Sequence, residues 1–179
     1  MLPILGAALR QFLLFNAALT PLELLWPGRP EQPLLRRGAC TDLAYFFVTP
    51  LVHASAGAAL LAAIGAVVTG VAPRDWRTGL VAQPWAVRLL EVVLLSELGG
   101  YAAHRLAHQV PCLWRFHRTH HRTEEMGWLA AYRQHPVDLL WMLAATNLPV
   151  VLLGFDTTTI FGGLLAQKLH TALVHGNLG

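Results

Sequence analysis

The sequence predicts an all-α fold: a multi-pass membrane helical bundle with a histidine cluster at its cytoplasmic face. Three observations carry this. Hydrophobic residues fill 55% of 179 positions and charged residues only 13%, about half the roughly 25% of a soluble domain. Mean hydropathy is +0.47, and long uncharged runs recur along the chain. Five of the nine histidines fall in one stretch, Glu97 to His121 (ELGGYAAHRLAHQVPCLWRFHRTHH). The length fits one compact unit, divided into an N-terminal transmembrane region over 1–89 and a histidine-bearing domain over 90–179.

Residues 2–26 are apolar but carry Arg10 and Glu23; they are long enough to span a bilayer, and spanning is favoured over lying along its surface. They lack the basic start and cleavage site of a secretory signal. Residues 27–42 form a polar loop with three prolines and three arginines, and Leu43 to Pro73 is uncharged and predicts a spanning helix with a kink at Thr49-Pro50. His53, inside that run, reads as a hydrogen-bonded core histidine. Residues 74–85 make a polar connection containing Arg74, Asp75 and Arg77. A helix follows from about Trp85 to Val110, broken by Pro111. A second helix over roughly 112–123 pairs three arginines with Leu113, Trp114 and Phe116, the composition of a helix lying at the interface. Leu139–Phe155 and Ile160–Val174 fit a tight helical hairpin.

Charge supports one orientation. The loop at 27–42 and the segment at 104–136 are separated by two apolar runs, so they lie on one side, with three and five arginines against two in the opposite connection. The positive-inside rule assigns the richer side to the cytoplasm. The formal charge of +3 comes from twelve arginines and one lysine set between apolar runs, which excludes a basic nucleic-acid surface. The two cysteines form no metal or redox pattern; Cys112 is expected to be a buried structural thiol.

His104 and His108 stand four apart, and His117, His120 and His121 follow as HxxHH. Residues three and four apart share a helix face, so each set can aim its rings together. Imidazole suits iron, zinc, copper and nickel. Five rings exceed the ligand set of one zinc, so the pattern implies two metal ions, with remaining ligands elsewhere. The hairpin returns His170 and His175 to the same side. Glu97, Tyr101, His104 and His108 fall within an arc of about 60°, which makes Glu97 a candidate outer-shell acid; the alternative is an ion pair with Arg88 or Arg105. His135, before Pro136, reads as structural or outer-shell. Three other chemistries fit parts of the pattern: haem held by opposed histidines, zinc-dependent hydrolysis (though HExxH is absent), and a non-catalytic remnant.

The run HRLAH, then LWRFHRTHH, WLAAYRQHP and finally HGN resembles the fatty acid hydroxylase/sterol desaturase superfamily, especially its bacterial members, over residues 90–179. The resemblance implies an integral membrane enzyme with a cytoplasmic di-iron site that uses O2 and two electrons to hydroxylate or desaturate unactivated C–H bonds of lipids. It makes His104 and His108 the first ligand pair, His117, His120 and His121 the second cluster, and His175 the histidine ahead of a third. Glu97 stands where the family usually has aspartate. The family continues with another HxxHH, and this sequence stops at Gly179 before one, so it reads as truncated or as a degenerate copy without self-sufficient catalysis. The sequence holds no flavin, nicotinamide or iron–sulfur motif, so the electrons are expected from a donor protein; the arginines around the site are expected to hold a lipid phosphate or to dock an acidic donor. The substrate is expected to be an acyl chain, sterol or related lipid entering from the bilayer.

Overall fold

A computed structural model of the chain describes residues 1–33, 35–71, 80 and 82–179. Among these, every regular element is helical; the sole extended pairing is an isolated bridge between Pro27 and Leu178. Helix α1 spans Leu2–Leu25, with proline in its first turn and at position 21. After the polar loop, α2 spans Ala39–Val52 and α3 Ala58–Val71. Helix α2 runs through Pro50 to Val52, and the α-helical pattern is interrupted beyond it: residues His53–Gly57 are π-helical, and the Ser55 hydroxyl donates to the Leu51 carbonyl at 2.8 Å. Arg74, Asp75 and Arg77 lie outside the described residues.

Helix α4 spans Trp85–Gln109. It ends because Val110 is extended, as a residue before proline prefers, and Pro111 then opens the short α5, Pro111–His117. The helix expected over 112–123 is therefore corrected. It stops at His117, and His120–Arg122 form a separate 3-10 turn. Cys112 is also corrected, from buried to exposed. Leu113, Phe116 and His117 occupy the inward face of α5, and Cys112 falls outside that face. A further 3-10 turn covers Trp128–Tyr132. The predicted hairpin is present as α6, Pro136–Leu153, and α7, Thr157–Val174. Gly154 takes φ 82° at the turn, a conformation that favours glycine, and the Asp156 carboxylate caps α7 by accepting from the Thr159 N–H at 3.0 Å.

By length and composition, three helical stretches can cross a membrane: Leu2–Leu25, Ala39–Val67 and Pro136–Leu153. Helix α4 packs mainly on α6 and α7. Small residues allow the close approach, as in membrane helix pairs. A Cβ on Gly99 would sit 2.5 Å from the Ala145 carbonyl oxygen, and one on Gly163 2.5 Å from Val92 Cγ1.

Two devices fasten the N-terminal helices to the histidine-bearing part. One is aromatic: Phe12, Phe15, Phe46 and Tyr132 gather around buried Trp128, with the Phe46 and Tyr132 ring centroids 4.4 Å apart. The other is polar. The fully buried Asp42 accepts from Arg36 at 2.6 Å and from Arg133 Nε. Arg36 also reaches the Glu125 carbonyl at 3.1 Å, and the Arg37 N–H donates to the Glu125 carboxylate at 2.6 Å. A buried carboxylate with two cations satisfies its oxygens in place of water; deleting it would strand two guanidiniums at a cost of about 3–5 kcal/mol.

Candidate metal centre

Six histidines from four segments meet where α4, α5, the 3-10 turn at 120–122 and the end of α7 come together. His104 and His108, one turn apart on α4, bring their Nε2 atoms to 3.0 Å. His117 ends α5, and His121 follows in the 3-10 turn; their Nε2 atoms are 3.1 Å apart. One ring nitrogen from each of these four lies within 4.8 Å of all the others. His120 turns the other way. Its Nε2 is 3.0 Å from Nε2 of His175, at the C-terminal cap of α7. The end of α5 at His117 is what makes this divergence possible.

The Nδ1 atoms explain why the Nε2 atoms face inward. His117 Nδ1–H donates to the buried Asp138 carboxylate, 3.0 and 3.1 Å from its two oxygens. His120 donates to the Arg133 carbonyl at 3.3 Å, and His175 to the Thr171 carbonyl at 2.8 Å. A hydrogen bond at one ring nitrogen fixes the tautomer and leaves the other as a lone-pair donor, the arrangement of a metal-bound imidazole. Metal–imidazole bonds of about 2.0–2.1 Å place ligands at right angles about 2.9 Å apart and opposed ligands about 4.1 Å apart. The pairs at 3.0–3.1 Å have the spacing of adjacent ligands on one ion. This spacing disfavours a haem held between two of these rings. The carboxylate that bonds to these rings, Asp138, is committed to orienting His117 and is not free to act as a base for hydrolysis.

Electrostatics fit neutral ligands. Burial, followed by neighbouring His175, His121 and His117, pushes the His120 pKa down to about 3. Burial and the imidazoles of His117, His108 and His104 bring His121 to about 4. Burial also lowers His175. Trp114 lies against the cluster, its ring centroid 5.2 Å from His108 and 5.7 Å from His121.

The remaining candidates fall elsewhere. Glu97 pairs with His170 Nδ1 at 3.3 Å and touches none of the six histidines; Arg88, an alternative partner, is held by Asp156 at 2.6 Å. Tyr101 accepts from Arg105 at 2.9 Å. His135 caps α6, accepting from the Val137 N–H at 3.2 Å. His53 lines a cavity of about 420 Å³ that opens beneath the cluster and is also lined by His104, His117, His120 and His175.

Three positioning residues escape a reading by spacing. Asp138 is 21 residues from the ring it orients. Arg133 supplies the carbonyl for His120 while its guanidinium is tied to Asp42. Asn177 holds the chain just past His175 by accepting from the Arg29 N–H at 2.9 Å and donating to the Arg29 carbonyl at 3.2 Å. The Glu23 carboxylate joins in, accepting from the backbone N–H groups of Trp128 at 2.7 Å and Asn177 at 3.0 Å. The motif HGN hinted at Asn177, and RQHPVD contains both Arg133 and Asp138, but only the fold gives them partners.

Apolar helices enclosing a polar knot of convergent imidazoles define a membrane protein with a histidine cluster able to hold metal. The chain belongs to the fatty acid hydroxylase family, whose model matches residues 89–178. It is 31% identical over 165 residues to the ornithine lipid hydroxylase OlsE of Rhizobium tropici, across 83% of this chain and 46% of that protein. A stretch of 36 residues is 71% identical to the fatty acid hydroxylase vlmA of a Lecanicillium species, covering 20% of this chain and 10% of that protein. The chain thus spans less than half the length of these curated relatives. No solved structure matches it.

Proposed function

We propose that this chain carries the histidine centre of a membrane di-iron lipid hydroxylase. His104, His108, His117 and His121 would hold one iron, and His120 and His175 would contribute to a second. The observation that carries the reading is the convergence of one ring nitrogen from each of His104, His108, His117 and His121 within 4.8 Å, beside a second close Nε2 pair of His120 and His175 at 3.0 Å. Two iron ions, when bound, supply reductive activation of O2 for the overall reaction R–H + O2 + 2e⁻ + 2H⁺ → R–OH + H2O. Both relatives are named as hydroxylases, which supports hydroxylation over desaturation.

The protein's own residues perform the rest. Asp138, Arg133 and Thr171 hold the rings in their binding tautomer. Trp114 covers one side of the cluster and limits water there. The cavity admits a lipid, with Leu139, Met142, Leu143 and Leu164 among its apolar walls. The centre sits at the cytoplasmic face of a multi-pass protein, and exposed Arg115 and Arg118 offer an acidic electron-donor protein a basic landing surface.

The test is anaerobic loading of the purified chain with ferrous iron, followed by iron analysis per chain. The expected result is up to two iron ions. The pair His120→Ala and His175→Ala should remove one and leave the other, whereas His108→Ala with His121→Ala should remove the four-histidine iron. Iron content near zero in the unaltered chain, with folding intact, would overturn the assignment.

A further inference from the structure

The cavity also carries polar side chains that the metal centre does not use. Lys168, the only lysine in the chain, lines it from α7 together with Gln167, Thr171, Val174 and His175. Lys168 and His175 are seven residues apart, so they share one face of the helix, about 10 Å apart along its axis. No carboxylate is paired with Lys168 among the described residues. Among the described residues, the one acid lining the cavity, Glu97, is engaged by His170. Asn147 of α6 is 1% exposed and lines the same cavity. Its amide N–H donates to the Leu143 carbonyl at 2.8 Å, while its Oδ1 is buried without a partner. His53 reaches the cavity from the π-helical turn of His53–Gly57.

A cation and an unmet acceptor between apolar helices are costly unless a ligand completes them. An apolar acyl chain would leave both unsatisfied. One ligand in this cavity that carries both an anionic group for Lys168 and an N–H or O–H for Asn147 Oδ1 would satisfy them through a charge-assisted hydrogen bond and a neutral one.

We propose that Lys168 recognises the anionic group of the substrate lipid, a carboxylate or phosphate, in the cavity it shares with Asn147, whose Oδ1 accepts from an N–H or O–H where the lipid carries one. With the anion held there, about one and a half to two helical turns along α7 from His175, oxidation falls nearer the polar group than the far end of a long acyl chain. The regiochemical part rests on the hydroxylase reading; the binding site does not.

The experiment uses the whole 179-residue chain in dodecyl maltoside, free of metal, and measures retention of radiolabelled palmitate, methyl palmitate, phosphatidic acid and diacylglycerol. The charged member of at least one pair should bind about tenfold more tightly than its neutral counterpart. Preference within the palmitate pair identifies a carboxylate site, and preference within the phosphatidate pair a phosphate site. Lys168→Met should abolish the preference, and Lys168→Arg should keep it. Equal binding within both pairs by the unaltered chain would overturn the proposal whether or not any variant folds, as would an undiminished preference in a folded Lys168→Met chain. Iron content measured on a second portion of the same purified chain, loaded with ferrous iron, separates failure of this site from failure of the metal centre.

Discussion

Asp138 shows how much of the site depends on one side chain. It is 2% exposed, and both of its oxygens lie within reach of His117 Nδ1. Replacing it with asparagine keeps the shape and one acceptor but removes the charge that raises the basicity of the ring. Such outer-shell changes typically cost 10–100-fold in metal affinity. Asp138→Asn should therefore weaken ferrous iron binding by about 10- to 100-fold in chelator competition, with helical circular dichroism unchanged; unaltered affinity would show that Asp138 only packs. The sequence pointed to Glu97 instead, because spacing along one helix reveals only neighbours on that helix. The six histidines were legible because metal chemistry restricts residue type and spacing together. Their outer partners were not. Two of the three are backbone carbonyls, which leave no mark on the sequence, and the third arrives from another helix.

At the scale of the helices, the boundaries near Trp85 and Val110 and the turn at Gly154–Asp156 could be read from proline, glycine and a capping aspartate. The fate of HxxHH could not. A continuous helix would carry His117, His120 and His121 along one face, whereas the chain stops at His117 and sends His120 toward His175. Tertiary pairing with α7 overrode local pattern there. The close approach of α4 to α6 was equally hidden, since Gly99 reads as an ordinary glycine until the Ala145 carbonyl is placed against it. Gly99→Leu should force these helices apart, lowering stability by about 1–3 kcal/mol and reducing iron content through displacement of His104. Gly65→Leu is the control, because nothing lies within 4 Å of its would-be Cβ. Thermal unfolding in detergent with iron analysis should show a clear loss for the first and little change for the second. Equal behaviour would mean that the contact at Gly99 is dispensable.

Orientation in the membrane belongs to the whole molecule. The sequence placed the polar loop at 27–42 and the histidine segment on one side, and their direct contact agrees: Arg36 and Arg37 meet Glu125, and the Gln32 amide donates to the Met126 carbonyl at 2.6 Å. Arg29, Arg36 and Arg37 thus join Arg115, Arg118, Arg122 and Arg133 at the same end. That concentration argues for a cytoplasmic location, the side from which the proposed centre would draw its electrons. The natural cysteines provide the test, because Cys40 at the start of α2 and Cys112 at the start of α5 are both exposed and free at this end. In intact bacterial spheroplasts a membrane-impermeant maleimide should leave both unlabelled, and permeabilisation should make both reactive, with Cys40→Ser and Cys112→Ser assigning each signal. Labelling of both cysteines before permeabilisation would invert the orientation and require electrons to reach the centre from the outer side. Labelling of only one would separate the loop from the histidine segment, contradicting the contacts through Glu125 that join them.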